Sequence, residues 1–382
     1  MSPIVPYTSV LAETSYHSIY HPLVNPNPTP IILFLPRGPV PSDPNLGSED
    51  DLISSLSTSS GSTIVRINYR LSADGQYKFP KPIHDVLAGY DWVLKHLAHG
   101  AIAYNASPPS ERPKRIGTYG ELVGGGLAAM LALTESHIGR IGIRAAAVEN
   151  PILDWTFPDT LSSQDLEREE AEYDSSNMAG KKQHMSKTNV LDSWTAFGKR
   201  GPINADHWLS MRRFCFSKPE YYFDPFASPL LFFRTPGIDL PPEDPPNVGP
   251  ESCTPISAEG TATKRRKVHR KFPPMGSGLR LPNMLIGVGE ENLLKDQGIA
   301  LADLMRRSIV MHDQVLRRDA TSEPWIYDPA QVNRETSRVH DEAKQRVQLV
   351  RKPGVGLIEA KSPAERTQEM MEVGRWFQDV LR

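Results

Sequence analysis

Cysteine is scarce. Cys215 and Cys253 are the only two in 382 residues. They exclude a disulfide framework and have no metal-ligand spacing, so two free thiols in a reducing compartment are expected. Long apolar runs are also missing. The longest, Ile31 to Leu35, is strand-sized, far short of the ~18 residues of a membrane-spanning helix, and the mean hydropathy is −0.40. Charge of one sign is not in excess. Lys plus Arg number 43 against 45 Asp plus Glu, a formal net charge of −2, so nothing calls for nucleic acid or an anionic membrane. No basic segment followed by an apolar core opens the chain, Glu13 is acidic, and no Lys or Arg precedes Arg37. A signal peptide or mitochondrial transit peptide is therefore not expected, and the expected location is cytoplasmic. Proline, in contrast, is abundant at 35 residues against 27 Gly, nearly twice the usual ~5%. Long irregular segments should accompany a folded core.

The first 150 residues read as alternating strands and helices. Ile31 to Leu35, ended by Pro36, has the continuous apolar character of a buried parallel strand. Asp50 to Leu56 is a short helical pattern, and Thr63 to Tyr69 is a β-branched strand. Ile83, Val86, Leu87, Tyr90, Val93, Leu94 and Leu97 recur at helical spacing, with Pro82 in the first turn, where a missing N–H costs nothing. Gly100 to Pro113 reads as a loop. Arg115 to Tyr119 is a strand followed by Gly120 to Gly126 and an Ala/Leu/Met helix to about Glu135, and Ala145 to Val148 is a further strand. Such alternation predicts an α/β fold with a doubly wound, mostly parallel sheet covered on both faces.

After Pro151 the pattern breaks, and residues 151–235 are expected to form a lid-like insertion. Within it, Asp165 to Glu170 is an acidic, solvated helix face, and Trp194, Phe197, Trp208, Leu209, Met211 and Phe214 suggest short helices. Pro236 to Pro274 is rich in Pro, Gly, Ser and Thr, and residues 236–280 read as a disordered insertion. Inside it, Lys264 to Lys271 is a basic octamer. It reads as solvated loop charge, as a nucleic-acid tether, or as a nuclear localisation signal, the last being the alternative to a purely cytoplasmic location. The core resumes over 281–382. Met284 to Val288 is a buried-type strand, and a helix carries Ile299, Leu301, Leu304, Met305 and Ile309. A polar segment runs from about His312 to Ala343, Arg346 to Arg351 is a strand, and Ser362-Pro363-Ala364-Glu365 is a capping box that opens a terminal helix.

The Gly-rich turn decides the chemistry. A phosphate loop needs a Lys after its glycines, and a dinucleotide loop needs G-x-G-x-x-G; neither is present, so no cofactor is expected. No metal-ligating cluster is apparent either. Gly120-Glu121-Leu122-Val123-Gly124 fits G-x-X-x-G, the frame of a nucleophile elbow.

Here the chain resembles the α/β-hydrolase fold, in its hormone-sensitive-lipase-like esterase branch. Asn68-Tyr69-Arg70-Leu71-Ser72 is similar to that branch's D-Y-R-L-A. Phe79 to Asp85 is similar to its F-P-x-x-x-x-D, and Gly120 to Ala128 to its G-x-S-x-G-G-x-L-A. Ala227-Ser228-Pro229-Leu230 matches S-P-L, Gly289 to Asp296 resembles G-E-x-D-x-L-x-D, and Pro353 to Gly356 resembles the P-G-x-x that precedes H-G-F. The resemblance implies an esterase- or lipase-like hydrolase by fold. It also implies that the three catalytic positions hold Leu122 for Ser, Asn292 for Asp and Leu357 for His. The oxyanion motif H-G-G-G is replaced by Pro36-Arg37-Gly38-Pro39. A leucine cannot attack a carbonyl, and no His follows His340. The expected function is therefore a non-catalytic binding or scaffolding pseudoenzyme with a small hydrophobic ligand or a protein partner. The alternative is a carboxylic-ester hydrolase that uses unidentified residues. Leu122, Asn292 and Leu357 should cluster at the carboxyl edge of the sheet in an apolar, partly filled cleft. Glu121 reads as a carboxylate favoured by the helix N-terminus, His84 and Asp85 as structural, and Asp296 as a capping or loop-bracing residue.

Overall fold

A computed structural model describes residues 7–12, 15–21, 29–39, 49–71, 76–98, 115–157, 193–198, 204–236, 268–320, 329–358 and 361–382. Among them, eight strands form one sheet: β1 (Tyr7–Ala12), β2 (Ser15–Tyr20), β3 (Ile31–Leu35), β4 (Thr63–Asn68), β5 (Ile116–Glu121), β6 (Ile143–Glu149), β7 (Asn283–Gly289) and β8 (Val347–Lys352). Their order is β1-β2-β4-β3-β5-β6-β7-β8. β3 to β8 run parallel, while β2 is antiparallel to both β1 and β4.

Parallel neighbours need crossovers, and helices supply them. The crossover helices are α1 (Glu49–Ser60), α2 (Lys81–Val93), α3 (Leu122–Thr134), α4 (Ser193–Phe197), α5 (Ala205–Cys215), α6 (Lys295–Ala320) and α7 (Pro329–Arg346), and α8 (Pro363–Val380) follows the last strand. Strand residues alternate between the two faces. Ile31, Leu33 and Leu35 join the core under α2, α3 and α6. Ile32, Phe34 and Tyr119 join Ile53 and Leu56 of α1 and Met370, Val373 and Phe377 of α8. Burial of both faces explains why β3 reads as an unbroken apolar run.

Every expected core strand is present, and the capping box forms: Glu365 N–H donates to Ser362 Oγ at 3.4 Å, and Ser362 N–H to Glu365 Oε2 at 2.8 Å. Three expectations change. The hairpin β1–β2 was not foreseen. The segment from about His312 to Ala343, read as polar with no element assigned, is largely helical, in the extension of α6 and in α7. Among the described side chains of α7, the buried apolar residues are Val339 and Ala343, one helical turn apart, too short a stripe to read as an amphipathic period. Finally, 268–274 is packed rather than disordered. Arg270 N–H donates to Phe233 O at 2.7 Å and Thr235 N–H to Val268 O at 2.8 Å. Phe272 is buried against Phe232 and Phe233. The acidic stretch 165–170, the loop 100–113, Cys253, and 264–267 of the basic octamer lie outside the described residues.

Candidate functional site

β5 runs into α3 without a loop. Leu122, the first residue of α3, has φ +52°, a left-handed conformation uncommon for a residue with a side chain and a site of stored strain. Such a turn closes only around residues without Cβ. A Cβ on Gly120 would stand 2.3 Å from Gly124 O, and one on Gly124 would stand 2.2 Å from Pro36 O. The sharp strand-to-helix turn expected from G-x-X-x-G is therefore formed at the carboxyl edge of a central strand. Its exposed corner is not exposed here: Leu122 is fully buried.

The loop after β3 lies directly over this turn. Gly38 (φ +92°) gives it a conformation that other residues resist. The Val123 N–H donates to the Arg37 carbonyl at 3.2 Å, and Ile152 N–H donates to the Leu122 carbonyl at 3.0 Å. Tyr69 donates its hydroxyl to Pro36 O at 2.5 Å and holds the loop down. In an elbow of this kind, the amide after the nucleophile position is the one available to stabilise an oxyanion. Here that amide is already bonded.

Leu357 and Leu122 belong to one buried apolar cluster. Their neighbours are joined directly, since Ile358 N–H donates to Glu121 Oε1 at 3.1 Å. Asn292 is 4% exposed. It follows β7, donates Nδ2–H to Val355 O at 2.9 Å and accepts Leu294 N–H at Oδ1 at 2.9 Å. Both ends of its amide are thus engaged by backbone. The loop after β8 is drawn in further by Asn150, whose Nδ2 donates to Gly356 O at 2.9 Å and whose Oδ1 accepts Gly289 N–H at 2.8 Å. Sequence reasoning missed Asn150. Its signal was the Asn-Pro step at the end of β6, read only as a break.

Glu121 occupies the N-cap position of α3 but makes no capping bond. Its carboxylate braces the Leu357–Ile358 loop instead, so its role is tertiary rather than one of helix dipole alone. Burial raises its pKa, opposed by Arg37 and the Ile358 N–H. In the next strand lies Glu149, in register with Glu121 and also raised by burial. Glu149 pairs with Lys352, which reaches Glu369, which in turn meets Lys361. Burial pulls the Lys352 pKa down, but the two carboxylates together more than offset it, and the value is raised.

The other singled-out residues are structural. Asp85, 1% exposed, accepts Arg70 Nε and Nη2 at 2.9 and 2.6 Å and the Arg70 amide at 2.9 Å. His84 beside it is exposed. Asp296 accepts Ser193 N–H at 2.7 Å and ties α6 to α4. Ser228 of the S-P-L segment bridges Tyr222 O and Trp155 N–H. Residues 151–157, expected to open a lid, are a buried strap. Gln297 fixes it through Leu153 and Asp154, and Arg212 through the carbonyls of Trp155 and Phe157. Free Cys215 is buried, which pushes its thiol up to about 12. Among the described residues, no cluster of His, Cys, Asp and Glu could hold a metal, and no helix is long and apolar enough to cross a membrane.

Strand order, elbow and covering helices define an α/β-hydrolase-fold protein. Residues 44–214 match the family model described as alpha/beta hydrolase fold. Solved structures agree on the fold. Carboxyl esterase 2 of the mycorrhizal fungus Tuber melanosporum superposes with a TM-score of 0.54 at 14% identity, over 99% of this chain and 87% of that one. The hyperthermophilic esterase of the archaeon Pyrobaculum calidifontis gives 0.53 at 15%, over 98% and 83%. A thermostable carboxylesterase from a metagenomic library gives 0.55 at 17%, over 100% and 91%. No curated protein sequence matches the chain significantly.

Proposed function

We propose that this chain is a non-catalytic α/β-hydrolase-fold protein that serves as a binding or scaffolding module. One observation carries the reading. At the elbow, the strained residue is Leu122, and the amide that follows it is bonded to the Arg37 carbonyl. Acyl transfer needs a nucleophile, a base that takes its proton and donors aimed at the oxyanion. Leu122 has no lone pair, and Leu357 has no imidazole. The Asn292 amide is neutral, and its two backbone bonds leave it unsuited to orient and charge-stabilise a histidine. The last histidine, His340, is exposed on α7.

Leu122 and Leu357 are each buried within one apolar cluster. A small hydrophobic ligand would have to displace them; a protein partner would not. The purified chain should resist covalent labelling by a fluorophosphonate probe and should not turn over short p-nitrophenyl esters above a buffer blank. Labelling, or turnover abolished by one substitution, would instead favour a carboxylic-ester hydrolase that uses other residues. A cytoplasmic location with a nuclear fraction directed by Lys264 to Lys271 is part of the same proposal. Replacement of Lys264, Arg265, Arg266 and Lys267 by Ala should lower that nuclear fraction.

A further inference from the structure

The amino-terminal edge of the sheet, opposite the elbow, holds a cavity of ≈ 590 Å³. Five arginines line it: Arg115, Arg140, Arg144, Arg280 and Arg346. They come from separate elements by a common rule of position. Arg115 immediately precedes β5, Arg140 and Arg144 flank the start of β6, Arg280 precedes β7, and Arg346 ends α7 immediately before β8. Four neighbouring parallel strands therefore begin beside a guanidinium. Among the described residues, no carboxylate lines the cavity and no ion pair engages any of the five.

Like charges are not gathered without something to balance them. The ordinary counterweight at this edge would be helix C-termini, since α3, α7 and α8 end here. Each supplies roughly −0.5 of an elementary charge, so three supply about −1.5 against five positive charges. Nor is the overall charge basic; the chain carries −2, so the cluster is a local departure from the overall balance. Arg346 records the crowding. Burial lowers its pKa, Arg280 lowers it further, and Glu342 on the same helix only partly opposes them. The walls are set by backbone. Arg280 N–H donates to Ser136 O and Ile138 N–H to Gly278 O, both at 2.8 Å, and Arg346 is held on the Leu281 carbonyl. Ser136 and Asn283 add neutral polar groups, while Ile141, Leu281 and Val380 add an apolar wall.

We propose that this cavity binds an organic polyphosphate, a small molecule with two or more linked phosphate groups and a less polar remainder. Planar guanidiniums match phosphate oxygens in a bidentate manner, the volume is that of a small-molecule site, and the apolar wall accommodates the organic part. The site is independent of the elbow and of its reading as non-catalytic.

Calorimetric titration of the full chain with tripolyphosphate and with ATP tests this. Both should bind saturably, with Kd below about 1 mM at physiological salt, and raising the salt should weaken them. Orthophosphate should bind at least tenfold more weakly. The double variant Arg144→Gln/Arg280→Gln should lose about tenfold or more in affinity, as charge-assisted bonds are removed. Arg334→Gln/Arg338→Gln, on an α7 face outside the cavity, should leave affinity unchanged. If the first variant does not fold, Arg115→Gln/Arg140→Gln, at two exposed side chains, replaces it with the same expected loss. No saturable binding of either polyphosphate, equal losses in cavity and control variants, or orthophosphate as good as tripolyphosphate would overturn the proposal. So would a single-stranded oligonucleotide that binds more tightly than ATP and is insensitive to the cavity variants.

Discussion

Leu122 is held in a left-handed conformation against about 1–3 kcal/mol of strain, and packing is what holds it. A buried leucine is worth about 1.5–3 kcal/mol in transfer alone, and truncating one to Ala typically costs about 2.7–5 kcal/mol once the cavity is included. Leu122→Gly should therefore destabilise the protein by about 2 kcal/mol in urea unfolding, even though glycine relieves the backbone; a stabilised variant would mean the side chain is not packed. Leu122→Ser should yield no ester turnover. The new hydroxyl would meet no base, and the neighbouring Val123 N–H is bonded to Arg37 O. Esterase rates from that single change would sink the assignment of Leu357 to the histidine position. The Arg70–Asp85 pair is asymmetric, because the Arg70 side chain is 31% exposed and that of Asp85 only 1%. Arg70→Ala leaves a buried carboxylate with the residue-70 amide but without its cation, whereas Asp85→Ala frees a guanidinium that can turn to water. With solvent screening of the exposed partner allowed for, we expect about 3 kcal/mol for the first and about 1–2 for the second. Guanidinium unfolding curves in the opposite order would contradict this.

At the scale of elements, most helices and strands were legible where one side of the chain is continuously apolar. α2 repeats buried Ile83, Val86, Tyr90 and Val93 at helical spacing, and β3 is buried at every residue. The misreadings share a cause. α7 and 268–274 are held by a few contacts to distant parts of the chain, and composition averages such contacts away. Phe272 is the measurable case. It is 7% exposed, with ring centroids 4.9 Å from Phe232 and 5.1 Å from Phe233. Phe272→Ala should cost about 3 kcal/mol in thermal or chemical unfolding. A loss under about 0.5 kcal/mol, the scale of an ordinary surface change, would return this segment to the disordered class.

Across the whole molecule, the carboxyl edge of the sheet gathers buried charge, and this gives stability a pH dependence with a definite sign. The Glu121 pKa is raised in the folded state, first by burial. Its contribution is fully present below the ordinary carboxylate value and is lost as pH rises through the raised folded value. Glu121→Gln keeps an oxygen to accept the Ile358 N–H but cannot ionise. The variant's thermal midpoint should exceed that of the native chain most at neutral pH, and the advantage should fade as pH drops into the ordinary carboxylate range. A difference constant from pH 4 to pH 8 would refute a raised Glu121. The sequence by itself determined the α/β alternation, the Gly-x-x-x-Gly turn and the absence of serine at its centre, because periodicity and residue chemistry are local properties. Only the tertiary structure decided that the Val123 amide is bonded to Arg37, that Asn150 ties three strand ends together, and that five arginines from separate elements face one cavity. Each of these depends on backbones far apart in sequence meeting at a sheet edge, and their meeting is set by the packing of the whole sheet, which no single segment records.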